Sequence, residues 1–121
     1  MKRVLIVEDQ VDIRELICLT LELGDYEVHE ADNGDAGYAA AIAVQPDLIL
    51  LDVMMPGTLD GIEVCRRLKS DSRFSQTRII ILSAKGQDQD KQRGKEVGAD
   101  GYLTKPFSPK QLLDIVNQHI G

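Results

Sequence analysis

Three four-residue apolar runs, each ending on a residue capable of polar chemistry, constrain this chain more than any other feature. Val4–Val7 leads into Glu8 and Asp9, Leu48–Leu51 into Asp52, and Ile79–Leu82 into Ser83. Runs this short and without polar alternation read as strands covered on both faces, as in a parallel sheet sandwiched between helices. In such sheets ligands sit beyond the carboxyl ends of the strands. The pattern therefore gathers carboxylates at one sheet edge and centres attention on Asp52.

Between the runs the period changes. Val11, Ile13, Leu16, Ile17, Thr20, Leu21 and Leu23 recur at helical spacing, and Gly24 stands where a helix would stop. Tyr26–Ala31 alternates with period two, which predicts a less buried strand at an edge, and Asn33-Gly34 turns into an Ala-rich helix ending near Val44. Pro46 opens a third strand, Leu59–Leu68 reads as a helix, and Ile79–Leu82 is the fourth strand. A short strand at Tyr102–Thr104 precedes a helix opened by Ser108-Pro109-Lys110-Gln111, with Ser as N-cap, Pro at N1 and Gln in capping-box position. The segment from Gln87 to Val97 is the exception, because it offers no large apolar side chain before Val97 and contains Gly94. An internal glycine costs about 1 kcal/mol against Ala, so a weakly anchored, movable helix is predicted there. With right-handed crossovers, the five strand–helix units give an α/β fold: a doubly wound five-stranded parallel sheet, (βα)5 and flavodoxin-like, in strand order 2-1-3-4-5. Its topological switch point lies between strands 1 and 3, where Glu8, Asp9 and Asp52 flank the crevice.

A single domain over residues 1–121 is expected, since 121 residues with 43% hydrophobic content allow a core without disulfide or metal staples. Cys18 and Cys65 lie inside separate helical patterns without metal-type spacing and read as buried free thiols. A formal net charge of -6 argues against direct binding to nucleic acid or anionic membrane, because phosphate-rich surfaces need compensating Lys and Arg. Met1-Lys2-Arg3 is basic, but the apolar stretch behind it is too short for a signal peptide, and no run approaches membrane-spanning length. A cytoplasmic protein is expected.

Two unit negative charges about 4 Å apart repel by roughly 4 kcal/mol at an effective dielectric of about 20. Glu8, Asp9 and Asp52 brought together therefore need a cation or shifted pKa values. All-oxygen ligation suits Mg²⁺ or Mn²⁺ rather than zinc. Lys105 adds an ammonium to the same edge and Ser83 a hydroxyl, which together frame an anion site. Such a set suits a phosphoryl group moving onto a carboxylate, a step dominated by positioning and charge stabilisation, with Asp52 as nucleophile. Singly, each residue has a plainer explanation: an acidic pair in a solvated loop, a Ser as N-cap, a Lys in the loop before Pro. Their joint placement favours the chemical one.

The same residues resemble the receiver domain of two-component response regulators, over essentially the whole chain. The matching elements are Glu8-Asp9, the segment Asp47–Asp52 with Met54-Met55-Pro56-Gly57 behind it, Ser83-Ala84, and Gly98-Ala99-Asp100 leading to Tyr102-Leu103-Thr104-Lys105-Pro106-Phe107. The resemblance implies that a histidine kinase or histidine phosphotransfer protein donates a phosphoryl group to Asp52. It further implies that Mg²⁺, with Mn²⁺ as substitute, is held by Glu8, Asp9, Asp52 and the backbone carbonyl of Met54. Ser83 and Lys105 would contact the phosphoryl group, Tyr102 would be the aromatic switch, and Lys105–Pro106 is a candidate cis bond. A protein of this kind is a signalling switch rather than an enzyme: it catalyses only its own phosphorylation and dephosphorylation, and it reshapes the face built from 87–97, the last strand and the last helix for a downstream protein or output domain. A monomer or weak phosphorylation-dependent dimer is expected.

Three departures from the family pattern stand out. Glu8 replaces the commoner Asp, and its longer arm would favour coordination through water. The loop Gly57–Gly61 has one residue more than usual, which alters the surface beside Asp52. Gly101, Gln111 and Ile115 stand where the dimerising transcription-factor branch carries charged partners, which argues against a dimer of that type. Met54 and Lys85 flank the acceptor, and Met54 cannot orient an attacking water, so a long-lived phosphoryl group is expected. His119-Ile120-Gly121 shows no linker, which favours a standalone regulator over a receiver fragment of a longer one. An Mg-dependent aspartate phosphohydrolase would want a second carboxylate where Met54 stands. A flavodoxin-type electron carrier would need a phosphate loop where Glu8-Asp9 would repel phosphate.

Overall fold

The three apolar runs become the three inner strands of a five-stranded parallel sheet in the order β2-β1-β3-β4-β5. The structure is a computed structural model and describes residues 1–55, 59–84 and 88–121. Its elements are β1 (Arg3–Val7), α1 (Val11–Leu23), β2 (Glu27–Ala31), α2 (Gly34–Val44), β3 (Leu48–Asp52), α3 (Gly61–Lys69), a 3-10 turn at Ser72–Phe74, β4 (Arg78–Ala84), α4 (Asp88–Glu96), β5 (Gly101–Lys105) and α5 (Pro109–Ile120). Every residue of the three runs is fully buried. They lack alternation because helices cover both of their faces. β2 lies at one edge and is half-buried, as its period-two pattern predicts.

Strand alternation divides the core into two layers. Leu5, Val7, Ile49, Leu51, Ile79 and Ile81 pack with Ala41 of α2 and with Ile62, Cys65 and Leu68 of α3. Val4, Ile6, Leu48, Leu50, Ile80 and Leu82 pack on the other face with Ile17 and Leu21 of α1 and with Leu112 and Val116 of α5. The capping box at α5 is present, Ser108 and Gln111 bonding each other's backbone amides at 3.1 and 2.8 Å.

Four details differ from the sequence expectation. α3 begins at Gly61 rather than Leu59, because the Asp60 carboxylate accepts from the Glu63 amide at 2.8 Å and caps the helix there. A Cβ at Gly61 would stand 2.1 Å from the carbonyl oxygen of Asp52, so only glycine lets α3 start against the end of β3. β4 runs on to Ala84 and takes Ser83 into the sheet, and the Ser72–Phe74 turn tucks the Phe74 ring into the core. α4 buries Asp90 and Gly94 instead of apolar side chains. Cys18 and Cys65 are buried free thiols, each pushed up to about 12 chiefly by burial, so neither is a nucleophile. The extra residue of the Gly57–Gly61 loop and the flanking Lys85 fall outside the described residues. Among the described residues no helix is long and apolar enough to cross a membrane.

Candidate functional site

Alternation along the strands also fixes where the strand-end groups point. Glu8 continues the parity of Val4 and Ile6, Asp52 that of Leu48 and Leu50, and Lys105 that of Leu103, so all three share the α1/α5 face. Parallel pairing of β1, β3, β4 and β5 brings these ends to one edge. There a cleft of about 210 Å³ is lined by Asp9, Gln10, Asp52, Met54, Ala84 and Lys105. Oxygens of Glu8, Asp9 and Asp52 all lie within 4.8 Å of one another.

The hydrogen bonds assign the carboxylate oxygens. The Met54 amide donates to Asp52 Oδ1 at 3.0 Å, which leaves Oδ2 facing Lys105 Nζ at 3.4 Å. Lys105 itself sits closer to Glu8, at 2.6 Å from Oε1, while Glu8 Oε2 accepts from the Gln10 amide at 3.1 Å. Glu8 is fully buried, and this burial pushes its carboxyl up to about 7; the Lys105 ammonium works against that rise and the neighbouring Asp52 carboxyl adds to it. Three carboxylates face one ammonium, and the donors are hard oxygens, so the residues fit a divalent cation of the Mg²⁺ or Mn²⁺ kind.

Ser83 and Tyr102 belong to the other face. Ser83 follows Ile79 and Ile81 in parity, is almost fully buried, and its hydroxyl has no hydrogen-bond partner among the described residues; Ala84, not Ser83, lines the cleft. The Tyr102 ring packs half-buried against the same core layer and its hydroxyl too is buried without a partner among the described residues, burial raising its pKa. The structure thus brings together Glu8, Asp9, Asp52 and Lys105 and sets Ser83 and Tyr102 behind them. The Met54 side chain stands exposed at the rim, and the Lys105–Pro106 bond is cis.

Two contributors were not singled out from sequence. Gln10 is the N-cap of α1 yet makes no side-chain cap; its Oε1 accepts from Lys105 Nζ at 3.4 Å instead. Glutamine is a poor N-cap, and its place directly after the acidic pair was the available signal. Asp60, besides capping α3, pairs with Arg93 of α4 at 3.5 Å and so links the loop after the acceptor strand to that helix.

The chain matches the family described as response regulator receiver domain over residues 4–117. It is 51% identical over 112 residues to the phosphate regulon transcriptional regulatory protein PhoB of Pseudomonas aeruginosa, a match covering 93% of this chain and 48% of that protein. To the transcriptional regulatory protein ResD of Bacillus subtilis it is 45% identical over 111 residues, covering 92% of this chain and 45% of that one. The chemotaxis response regulator CheY4 of Vibrio cholerae matches with a TM-score of 0.92 at 36% identity, over 99% of each chain. The chain spans about half the length of the curated relatives it matches.

Proposed function

The chain belongs to the receiver domains of response regulators, and from that premise we propose that it is a phosphorylation-dependent signalling switch whose acceptor is Asp52. The observation that carries this assignment is the asymmetric hold on the Asp52 carboxylate. One oxygen is fixed by the Met54 amide at 3.0 Å and the other faces the cleft and the Lys105 ammonium at 3.4 Å. Oδ2 is then the oxygen free to attack. A new P–O bond forms on Oδ2 as the P–N bond of a donor phosphohistidine breaks; the donor ring, already protonated on its other nitrogen, keeps the electron pair of that bond and leaves as neutral imidazole. The donor is a histidine kinase or histidine phosphotransfer protein.

Glu8, Asp9, Asp52 and the Met54 carbonyl would hold a Mg²⁺ or Mn²⁺ ion, which would supply charge neutralisation to the incoming phosphoryl oxygens. Lys105, already within reach of Asp52, contributes a further positive charge once it exchanges Glu8 for the phosphoryl group. The Ser83 hydroxyl, on the other face and without a partner among the described residues, becomes a donor to the added oxygens only by moving toward them, and that movement makes room for Tyr102. The readout is a downstream protein or an output domain in a cytoplasmic pathway. That the relatives are transcriptional regulators about twice as long supports an output domain.

Labelling with acetyl phosphate in Mg²⁺, read by intact mass, tests the acceptor. The native protein gains one phosphoryl group and Asp52→Asn gains none while keeping its circular dichroism spectrum; labelling that survives Asp52→Asn would overturn the assignment.

A further inference from the structure

Helix α4 offers the sheet no large apolar side chain of its own, yet it packs against β4 and α3. The point of closest approach is Gly94. A Cβ there would stand 3.0 Å from Tyr102 Cε1 and 3.1 Å from Ile81 Cγ1. Carbon–carbon contacts are optimal at about 3.5–4.0 Å, so a methyl at this position overpacks the site. Both obstacles are side chains, and Ile81 and Tyr102 are direct partners across the β4–β5 ladder, so together they form a platform beneath the helix. The two cannot yield equally. Ile81 is fully buried inside the core layer, whereas the Tyr102 ring is half-buried at its margin, with a hydroxyl that has no hydrogen-bond partner among the described residues.

We propose that Gly94 is the seat of the Tyr102 ring: the absent Cβ lets the ring lie under α4 and clamp the helix to the sheet. A methyl at position 94 turns the ring outward and loosens α4 before any phosphoryl group arrives. The proposal deepens the functional reading, in which Tyr102 is the moving part, but the seat itself does not depend on Asp52 being the acceptor. Gly94 on this account is a positioning residue and not merely a weak point of the helix. The flexibility of α4 is set by a ring that can leave.

The experiment is hydrogen exchange across Asp88–Glu96 in Gly94→Ala, Tyr102→Ala and the double variant, without phosphoryl donor, alongside tyrosine ring signals in NMR spectra assigned with Tyr102→Phe. In an unencumbered helix interior, Ala in place of Gly slows exchange, because Ala is the better helix former. Here Gly94→Ala is expected to speed exchange of the α4 amides about tenfold and to move the Tyr102 ring signals toward solvent-exposed values. Tyr102→Ala alone should also speed it, and in that background Gly94→Ala should slow it again. Slower exchange in Gly94→Ala with unmoved ring signals would make the glycine a simple helix defect. Equal acceleration with and without the ring would give the role to Ile81. Either result overturns the proposal, as does unchanged α4 protection in Tyr102→Ala, which serves if Gly94→Ala does not fold. None of these readouts changes if Asp52 is not phosphorylated, so the two readings fail separately.

Discussion

Glu8 and Asp90 are both buried carboxyls, but they are held in opposite ways. Glu8 follows a strand whose last four residues are fully buried, and its two oxygens meet Lys105 at 2.6 Å and the Gln10 amide at 3.1 Å. Asp90 sits on α4, whose other buried residue is Gly94, and its Oδ2 has no hydrogen-bond partner among the described residues. The cleft is therefore a rigid seat for charge. Among the described residues α4 is tied by the Tyr102 ring and by one ion pair between half-exposed side chains, Arg93 and Asp60 at 3.5 Å. A charge added at Asp52 is therefore expected to act on α4, where the ties are fewest, and to leave the buried strands unchanged.

The comparison breaks most visibly if the seat is soft. Leu50, fully buried two residues before Asp52, should cost about 2–5 kcal/mol when cut to Ala, read from urea unfolding. A cost under about 1 kcal/mol would mean that the strand end is not the firm element it is taken for. Next in size is native-state hydrogen exchange. The amides of α4 should exchange at least about a hundredfold faster than those of β3, and Mg²⁺ with beryllofluoride should change α4 while leaving β3 alone. Unchanged α4 protection with the ligand bound would sever the helix from the cleft.

Glu8 supplies a pH test of smaller size. Its carboxyl is at 4.5 in the unfolded chain and about 7 in the folded one. The folded state therefore binds the proton more tightly, and the associated stability is fully present below about 4.5 and lost as pH rises through about 7. Without metal, the stability of the native protein should fall relative to Glu8→Gln across that window and run parallel to it above. A flat difference would mean that Lys105 keeps Glu8 ionised throughout. The smallest effect belongs to Arg93→Ala, expected to cost under about 1 kcal/mol globally because the pair is exposed, while loosening α4 in hydrogen exchange. A larger global loss would make that pair a main tie rather than a peripheral one.

Much of this was legible in the residues themselves. The inner strands, the edge position of β2, the end of α1 and the Ser108–Gln111 capping box follow from local pattern, because burial of an apolar side chain and capping of a free amide are decided within a few residues. Leu59 misled, since its apolar side chain fits the helical period of α3. It lies in the loop instead, its carbonyl pressed so close to Gly34 that a Cβ there would stand 1.9 Å away. Gln10 and Asp60 were missed because their partners, Lys105 and Arg93, are remote in sequence.

The sequence by itself determined that five strands alternate with five helices, which strands are sealed on both faces, and that carboxylates, a hydroxyl and an ammonium stand at their ends. Those are properties of residue type and period, and the transfer free energy of a side chain depends on little else. Only the tertiary structure decided that β4 runs through Ala84 and turns Ser83 to the face opposite Asp52. It alone decided that Lys105 lies nearer Glu8 than Asp52, and that the glycine which weakens α4 in isolation is the place where a tyrosine ring meets it. Distances between side chains on different elements depend on register and on the reach of each arm, and both are fixed only when the layers pack.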